Sequence, residues 1–378
     1  MQERSRAELA GARRIVLKAG TRVLVHPEGR LALVRLFGLV EAAAALVRQG
    51  REVLLVSSGA VELGRQALGL ASTPLELEER QACAAVGQGR LMALYEHGFS
   101  RLGLLCAQVL LTQADFDDRV RYLNLRSTLL ALLRRGVVPV INENDAVATE
   151  ELRALEVFAD NDRLAALVAT KLGADLLLLL TDVEGVYAAA PSEPAAAAGA
   201  PLPRLDDPAA LPLEVSGAPG AAAGRGGMRS KLRAAAIAAR SGCHAVIASG
   251  IQPDVVRRVL AGEPLGTWVP ARPGLPARHR WIAFAAAPRG VLHLDAGAVA
   301  ALRERGASLL AAGVRRVEGS FARGDVVELR GPAGELVGRG IAHCDAEAAR
   351  RWCAGEPPAG ARRRHALVHR DHLVLEPA

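Results

Sequence analysis

The chain reads as an α/β protein, a mainly parallel sheet sandwiched by helices, followed by a small β-rich α+β domain. Three observations predict this. Through the first 270 residues, short β-branched or leucine-rich runs alternate with longer helical patterns. Those runs are apolar throughout, as expected of parallel strands covered on both faces. The punctuated stretch Pro270-Ala271-Arg272-Pro273-Gly274-Leu275-Pro276 then reads as a linker, and beyond it the rhythm changes.

The expected strands are Arg14–Lys18, Glu52–Ser57, Leu104–Leu110, Val137–Ile141, Asp175–Thr181 and Ala245–Ala248. Between them, helices are expected over Leu33–Arg48, Leu77–Phe99, Leu123–Arg134, Asn161–Leu172 and Gly227–Arg240. Residues 188–226 interrupt the alternation with Ala, Pro and Gly, a low-complexity loop or a lid. After the linker, Gly319–Leu329 reads as a turn feeding a strand, Leu336–Ala342 and Leu367–Leu375 as strands, and Ala298–Arg305 as a helix. The expected domains are residues 1–272 and 279–378.

Composition narrows the class. A chain of 378 residues that is 51% hydrophobic and only 3% aromatic builds its core from Leu, Val and Ala, ample for a globular enzyme. The charged start, Met1–Arg14, lacks the apolar stretch of a secretory signal, and the densest apolar run, Leu176–Leu180, is far short of a membrane span. Five cysteines, an odd number with no C-x-x-C pair, suit reduced thiols in a cytoplasmic protein rather than disulfides or a zinc site. From residue 271 onward 17 Arg face 11 Asp plus Glu, so most of the +7 net charge lies in the tail. Nucleic acid could meet such a surface, but the tail offers only Trp281, Phe284, Phe321 and Trp352 for stacking, which argues against RNA.

The chemistry gathers at strand ends, where ligands bind in open parallel sheets. Only three of the 47 basic residues are lysines, and two of them, Lys18 and Lys231, sit in short glycine-containing segments. An ammonium is a compact point charge suited to phosphate oxygens, unlike the wide guanidinium fork. Lys171, in a helix, reads as ordinary surface. Lys18-Ala19-Gly20-Thr21, Ser57-Ser58-Gly59-Ala60, Asn142-Glu143-Asn144-Asp145 and Thr181-Asp182 each follow an expected strand. Asp145 could hold an ammonium and the asparagine amides a carboxylate, or the segment could simply be an Asn/Asp-rich turn. Ser57–Ala60 could cradle an anion or make a compact turn. Asp160 suits a helix N-cap, leaving Asn161 and Asp162 over, the latter as an acidic organiser of the two lysines. The run Gly224-Arg225-Gly226-Gly227-Met228-Arg229-Ser230-Lys231 opens a helix whose amides could bind phosphate. It departs from the Walker spacing, which excludes a standard P-loop enzyme. The nine scattered histidines form no metal-ligand spacing.

These segments, with Ala85-Val86-Gly87-Gln88, Val138–Val147 as a whole, Asp160-Asn161-Asp162, and Leu178–Asp182 followed by Gly185-Val186-Tyr187, run in the order found in the bacterial glutamate 5-kinases. The chain resembles that family, a branch of the amino acid kinases. Its tail resembles the PUA domain many of them carry, most clearly at Gly319-Ser320-Phe321 and Arg323-Gly324-Asp325-Val326. The resemblance implies transfer of the ATP γ-phosphate to the side-chain carboxylate of L-glutamate, the first step of proline biosynthesis. It implies Lys18 and Lys231 on the transferring phosphoryl group, with Gly20 and Gly59 letting the backbone approach it. Ser58, Asp145 and Asn161 would hold glutamate, and Asp162 would position the lysines. Thr181, Asp182 and Arg225-Gly226-Gly227-Met228-Arg229-Ser230-Lys231 would bind the nucleotide, with Mg²⁺ bridging its phosphates and no dedicated metal ligands. The family usually has glycine where this chain has Ala159, and threonine where it has Arg225. Further expectations from the family are a homo-oligomer (dimer or tetramer), feedback inhibition by proline, and hand-over of a labile acyl phosphate to glutamyl phosphate reductase. Acetylglutamate kinase and aspartokinase would share the phosphate machinery, but Asn142–Val147 and the tail speak against both. A regulator that kept only the fold is hard to reconcile with both lysines.

Overall fold

The structure, a computed structural model, describes residues 5–26, 28–70, 75–147, 161–188, 200–208, 211, 227–272, 282, 288–356 and 366–376. It divides into two compact units: Met1–Asp115 with Arg119–Gly274, and Phe116–Asp118 with Leu275–Ala378.

The first unit is built on a seven-stranded sheet. Its strands are β1 (Arg14–Ala19), β2 (Glu52–Ser57), β3 (Cys106–Leu111), β4 (Val138–Glu143), β5 (Leu176–Thr181), β6 (His244–Ser249) and β7 (Thr267–Val269). Their spatial order is β3-β4-β2-β1-β5-β6-β7, parallel except for β7, which runs antiparallel to β6. The helices are α1 (Thr21–Leu24), α2 (Leu33–Arg48), α3 (Ala60–Ala67), α4 (Leu77–Arg101), α5 (Ala114–Asp117, whose last two residues fall in the second unit), α6 (Arg119–Arg134), α7 (Asn161–Leu172), α8 (Met228–Arg240) and α9 (Val255–Leu260). The α/β class read from the sequence is the class observed.

β5 is the centre of this design. It is five leucines and a threonine, every one of them buried. Leucine is a good helix former, but a short run covered on both faces is placed as a strand by burial. α7 is buried just as deeply, without a break from Leu164 to Leu172. A helix apolar nearly all round belongs inside a domain. Lys171 therefore differs from the surface residue expected: it is 7% exposed, with its ammonium 4.0 Å from the centre of the Tyr122 ring. A cation over an aromatic face accounts for a buried lysine here.

Register sets the site. Lys18 on β1 lies opposite Val56 on β2 and Leu179 on β5, so the three strands end level. From β1 the chain moves to β2 on one side; from β5 it moves to β6 on the other. The crevice between β1 and β5 is thus the topological switch point, where such sheets bind ligands.

The second unit has a six-stranded sheet in the order β10-β8-β11-β12-β13-β9. Its elements are β8 (Gly290–Leu294), α10 (Ala296–Arg305), β9 (Leu309–Leu310), β10 (Val314–Gly319), β11 (Val326–Arg330), β12 (Leu336–Ala342), α11 (Ala346–Cys353) and β13 (Ala366–Leu375). Both helices are capped by aspartates: Asp295 accepts from the Ala298 N–H and Asp345 from the Ala348 N–H, each at 2.7 Å. The Gly319-Ser320-Phe321 segment has a packing explanation. Gly319 sits at φ +83°, and the Phe321 ring lies so close to Gly290 that a Cβ there would fall 2.4 Å from Cδ1.

Candidate active site

Two helices deliver the charge centre. Asp162 is the second residue of α7 and is fully buried; Lys231 lies in the first turn of α8. Far along the same pair, Thr170 Oγ1 donates to Ser241 Oγ at 3.0 Å, tying the C-terminal ends together. Alanines line the buried face of α8 (Ala234, Ala235, Ala238 and Ala239), which lets the two helices approach.

At the N-terminal ends, Asp162 Oδ1 lies 2.6 Å from Lys18 Nζ, and Lys231 Nζ donates to Oδ2 at 3.1 Å. Ser230 Oγ also donates to Oδ2, at 2.7 Å. Lys18 is 3% exposed and Lys231 5%. Burial alone would push the Asp162 carboxyl up, but Lys18 first, then Lys231 and the hydrogen bonds, outweigh it and hold the group well below the usual carboxylate range. One carboxylate against two ammoniums leaves the trio with a surplus positive charge. Three desolvated ions are costly to bury, and removing one partner costs more than the trio contributes. The arrangement fits an incoming anion better than a purely structural ion pair.

The other strand ends converge on the same cleft, about 410 Å³ in volume. Its walls include Lys18, Ser58, Asn142, Asp145, Asn161 and Thr181, besides Asp182 and Lys231. Gly59 at φ +103° makes the turn from β2 into α3, a conformation glycine adopts without penalty. Behind this turn α3 and α4 cross backbone against backbone. A Cβ at Gly64 would stand 1.8 Å from the Cys83 carbonyl oxygen, and one at Gly87 1.7 Å from that of Ala60. Ser57 Oγ shares a 2.8 Å hydrogen bond with the buried Tyr95 hydroxyl on α4, fastening the end of β2.

Asp145 stands in the cleft on the turn after β4. Burial pushes its carboxyl above the ordinary value, tempered by Arg80. Thr181 Oγ1 donates to Asp182 Oδ1 at 3.0 Å, and Asp182 pairs with Arg22 at 3.3 Å on the exposed rim.

Gly227 is the N-cap of α8, with Met228, Arg229, Ser230 and Lys231 in its first turn; Ser230 and Lys231 turn to Asp162 while Arg229 faces solvent. Gly20 also lines the cleft. Its N–H is taken by the Leu180 carbonyl at 3.3 Å, its φ is an ordinary −74°, and a Cβ there would meet Leu180 and Lys18 only at 3.5 Å. Arg225, Gly226, Ala159 and Asp160 lie outside the described residues.

Sequence reasoning missed Arg22, Arg80 and Gln88. Gln88 had a signal, since it ends the Ala85-Val86-Gly87-Gln88 segment; the arginines had none beyond their charge. Among the described residues no group of three or more His, Cys, Asp or Glu could hold a metal ion. All five cysteines are free thiols, and no described helix is long and apolar enough to cross a membrane.

Comparison with known proteins agrees with this geometry. The model of the amino acid kinase family matches residues 13–249, and that of the PUA domain residues 290–356. A glutamate 5-kinase of Chromohalobacter salexigens is 47% identical over 381 residues, 99% of each chain. One of Moorella thermoacetica is 45% identical over 391 residues, 99% of this chain and 100% of that protein. One of Pseudomonas putida is 46% identical over 377 residues, 98% of this chain and all of that protein. Likeness of this extent, joined to a switch-point cleft furnished by the matching segments, establishes that the chain belongs to the amino acid kinase family.

Proposed function

We propose that this protein is a glutamate 5-kinase, which uses ATP to phosphorylate the side-chain carboxylate of L-glutamate and so begins proline biosynthesis. The observation that carries this reading is the buried Asp162 holding Lys18 and Lys231 beside Ser58, Asn161 and Asp145. The full-length relatives bearing that name give the acceptor.

The chemistry asks little of a protein base. A glutamate carboxylate oxygen attacks the γ-phosphorus, an O–P bond forms, and the bond to the ADP oxygen breaks, with no proton to move. Catalysis is then positioning and charge stabilisation. Lys18 and Lys231 meet the charge on the phosphoryl oxygens in a site where burial strengthens their effect. Asp162 keeps both ammoniums aimed. Asp145 takes the substrate ammonium, while Ser58 and Asn161 hold its polar groups. Thr181, Asp182 and the first turn of α8 from Gly227 face the nucleotide; the resemblance gives the same role to Arg225 and Gly226, which lie outside the described residues. With two lysines and a helix N-terminus as donors, the residues fit ATP; Mg²⁺, lacking a protein cage among the described residues, would be held by the phosphates and screen their charge.

The test is ADP release with Mg·ATP and a panel of glutamate, acetylglutamate, aspartate and UMP, beside Lys231→Ala. Glutamate-dependent turnover that vanishes in the variant is expected; turnover with another acceptor alone overturns the substrate. From the same kinship come a dimer or tetramer, checked by light scattering, and inhibition by proline, checked by adding it to the assay. Five free thiols suit a cytoplasmic location, checked by cell fractionation. Delivery of the labile acyl phosphate to glutamyl phosphate reductase is checked by a native pull-down; failure to recover the reductase counts against it.

A further inference from the structure

Backbone groups fix the direction of a chain of side-chain amides beside the cleft. The Glu143 N–H can only donate, and it donates to Asn142 Oδ1 at 2.9 Å. The other end of that amide, Nδ2, therefore faces Gln88 and donates to its Oε1 at 2.8 Å. The Ser57 carbonyl can only accept, and Asn161 Nδ2 lies 3.2 Å from it. The same Nδ2 is 3.0 Å from Asn142 Oδ1 and 2.9 Å from Ser58 Oγ. The order runs from Gln88 on α4 through Asn142 on β4 and Asn161 at the head of α7 to Ser58 after β2. With donors and acceptors fixed at both ends, no amide in it can turn over without opposing like atoms.

Two results reach the cleft. Asn161 Oδ1 is turned away from Asn142, buried, and has no hydrogen-bond partner among the described residues. Ser58 Oγ accepts from Asn161 and keeps its own proton for another acceptor. An unpaired acceptor and a spare donor thus sit on two residues that line the cleft, as Asp145 does. That pairing matches the two ends of a zwitterion: an ammonium for Asn161 Oδ1 and Asp145, a carboxylate for the Ser58 hydroxyl.

We infer that Gln88, buried on α4 and outside the cleft lining, is a positioning residue. Together with the Glu143 N–H and the Ser57 carbonyl, it holds the polarity with which the site reads the α-amino acid end of its acceptor. The inference rests on the amino acid kinase reading above, and on Gln88 supplying an acceptor, not on its size. Without that acceptor, Asn142 Nδ2 is stranded, and an amide that shifts to find another partner weakens its hold on the Glu143 N–H and on Asn161.

The experiment compares full-length wild type, Gln88→Met and Gln88→Glu in steady-state ADP release. The acceptors are glutamate and its des-amino analogue glutarate, and the KM for Mg·ATP serves as a check on the fold. The methionine variant, similar in shape but without an acceptor, is expected to raise the glutamate KM about tenfold or more. Its kcat and its KM for Mg·ATP should change little, and its preference for glutamate over glutarate should shrink by a similar factor. The glutamate variant, which retains an acceptor, is expected to keep the preference. An unchanged preference in Gln88→Met, or a preference lost in Gln88→Glu, overturns the inference. Should Gln88→Met fail to fold, Gln88→Leu takes its place as the variant without an acceptor: preference reduced supports the relay and preference unchanged sinks it. If the wild type uses a different amino acid, the glutamate assignment fails by itself, and the relay is read against that acceptor and its des-amino analogue.

Discussion

Asp162 concentrates the risk at the scale of single residues. Asp162→Asn leaves Lys18 and Lys231 buried without a counter-charge, and the expected loss of stability is about 3–5 kcal/mol. Urea unfolding monitored by circular dichroism measures it; a loss under 1 kcal/mol would show that the lysines find other partners. The sign of the pH effect follows from the depressed carboxyl. Its contribution is fully present above the ordinary aspartate value and is lost as pH falls through the native value, a dependence absent from the variant. Asp145 behaves oppositely, because burial pushes its carboxyl up. Its ionised form, the one proposed to hold the substrate ammonium, disappears at a higher pH than for an exposed aspartate. The glutamate KM should therefore rise on mild acidification while the KM for Mg·ATP holds steady, and Asp145→Asn should raise the glutamate KM at every pH and flatten that slope. A wild-type KM flat across the acid range would remove Asp145 from the ammonium site.

Among the elements, the crossing of α3 and α4 is the least forgiving. Gly64→Ala must push apart two backbones that already touch, since the added carbon would stand 1.8 Å from the Cys83 carbonyl oxygen. A cost of about 1–3 kcal/mol is expected from overpacking. Because α3 follows the Ser58-Gly59 turn and α4 carries Gln88, the glutamate KM should rise with it. Thermal unfolding and kinetics together check this, and a variant as stable as wild type would mean that the helices can slide. This crossing was not legible beforehand: single glycines in helical patterns say nothing of what lies against them. The strands around the site were legible, because runs such as Leu176–Leu180 are apolar without interruption. β7 escaped notice because three residues carry no pattern, and β10 because Arg315, Arg316 and Glu318 interrupt it. The site residues at strand ends could be read from polar clusters abutting apolar runs. Gln88 was marked by its segment, but its role was not legible, because that lies in an amide 54 residues away.

The whole molecule joins two separately cored units, and all the chemistry derived above falls in the first. What sequence alone could not give at this scale was the burial of its rarest cation. Lys18 and Lys231 were expected inside a site, but Lys171 was not, and the aromatic ring that covers it sits on another helix. Lys18, Lys171 and Lys231 are all under 8% exposed, Lys171 beneath its aromatic ring and the other two against Asp162 in the wall of the cleft. Amine-directed labelling should leave all three side chains unmodified until the protein is denatured, as peptide mass mapping would reveal. Rapid modification of any of them in the native state would contradict the burial described here. The practical corollary concerns subunit assembly: cross-linkers that join lysine to lysine will report a lone chain however many copies associate.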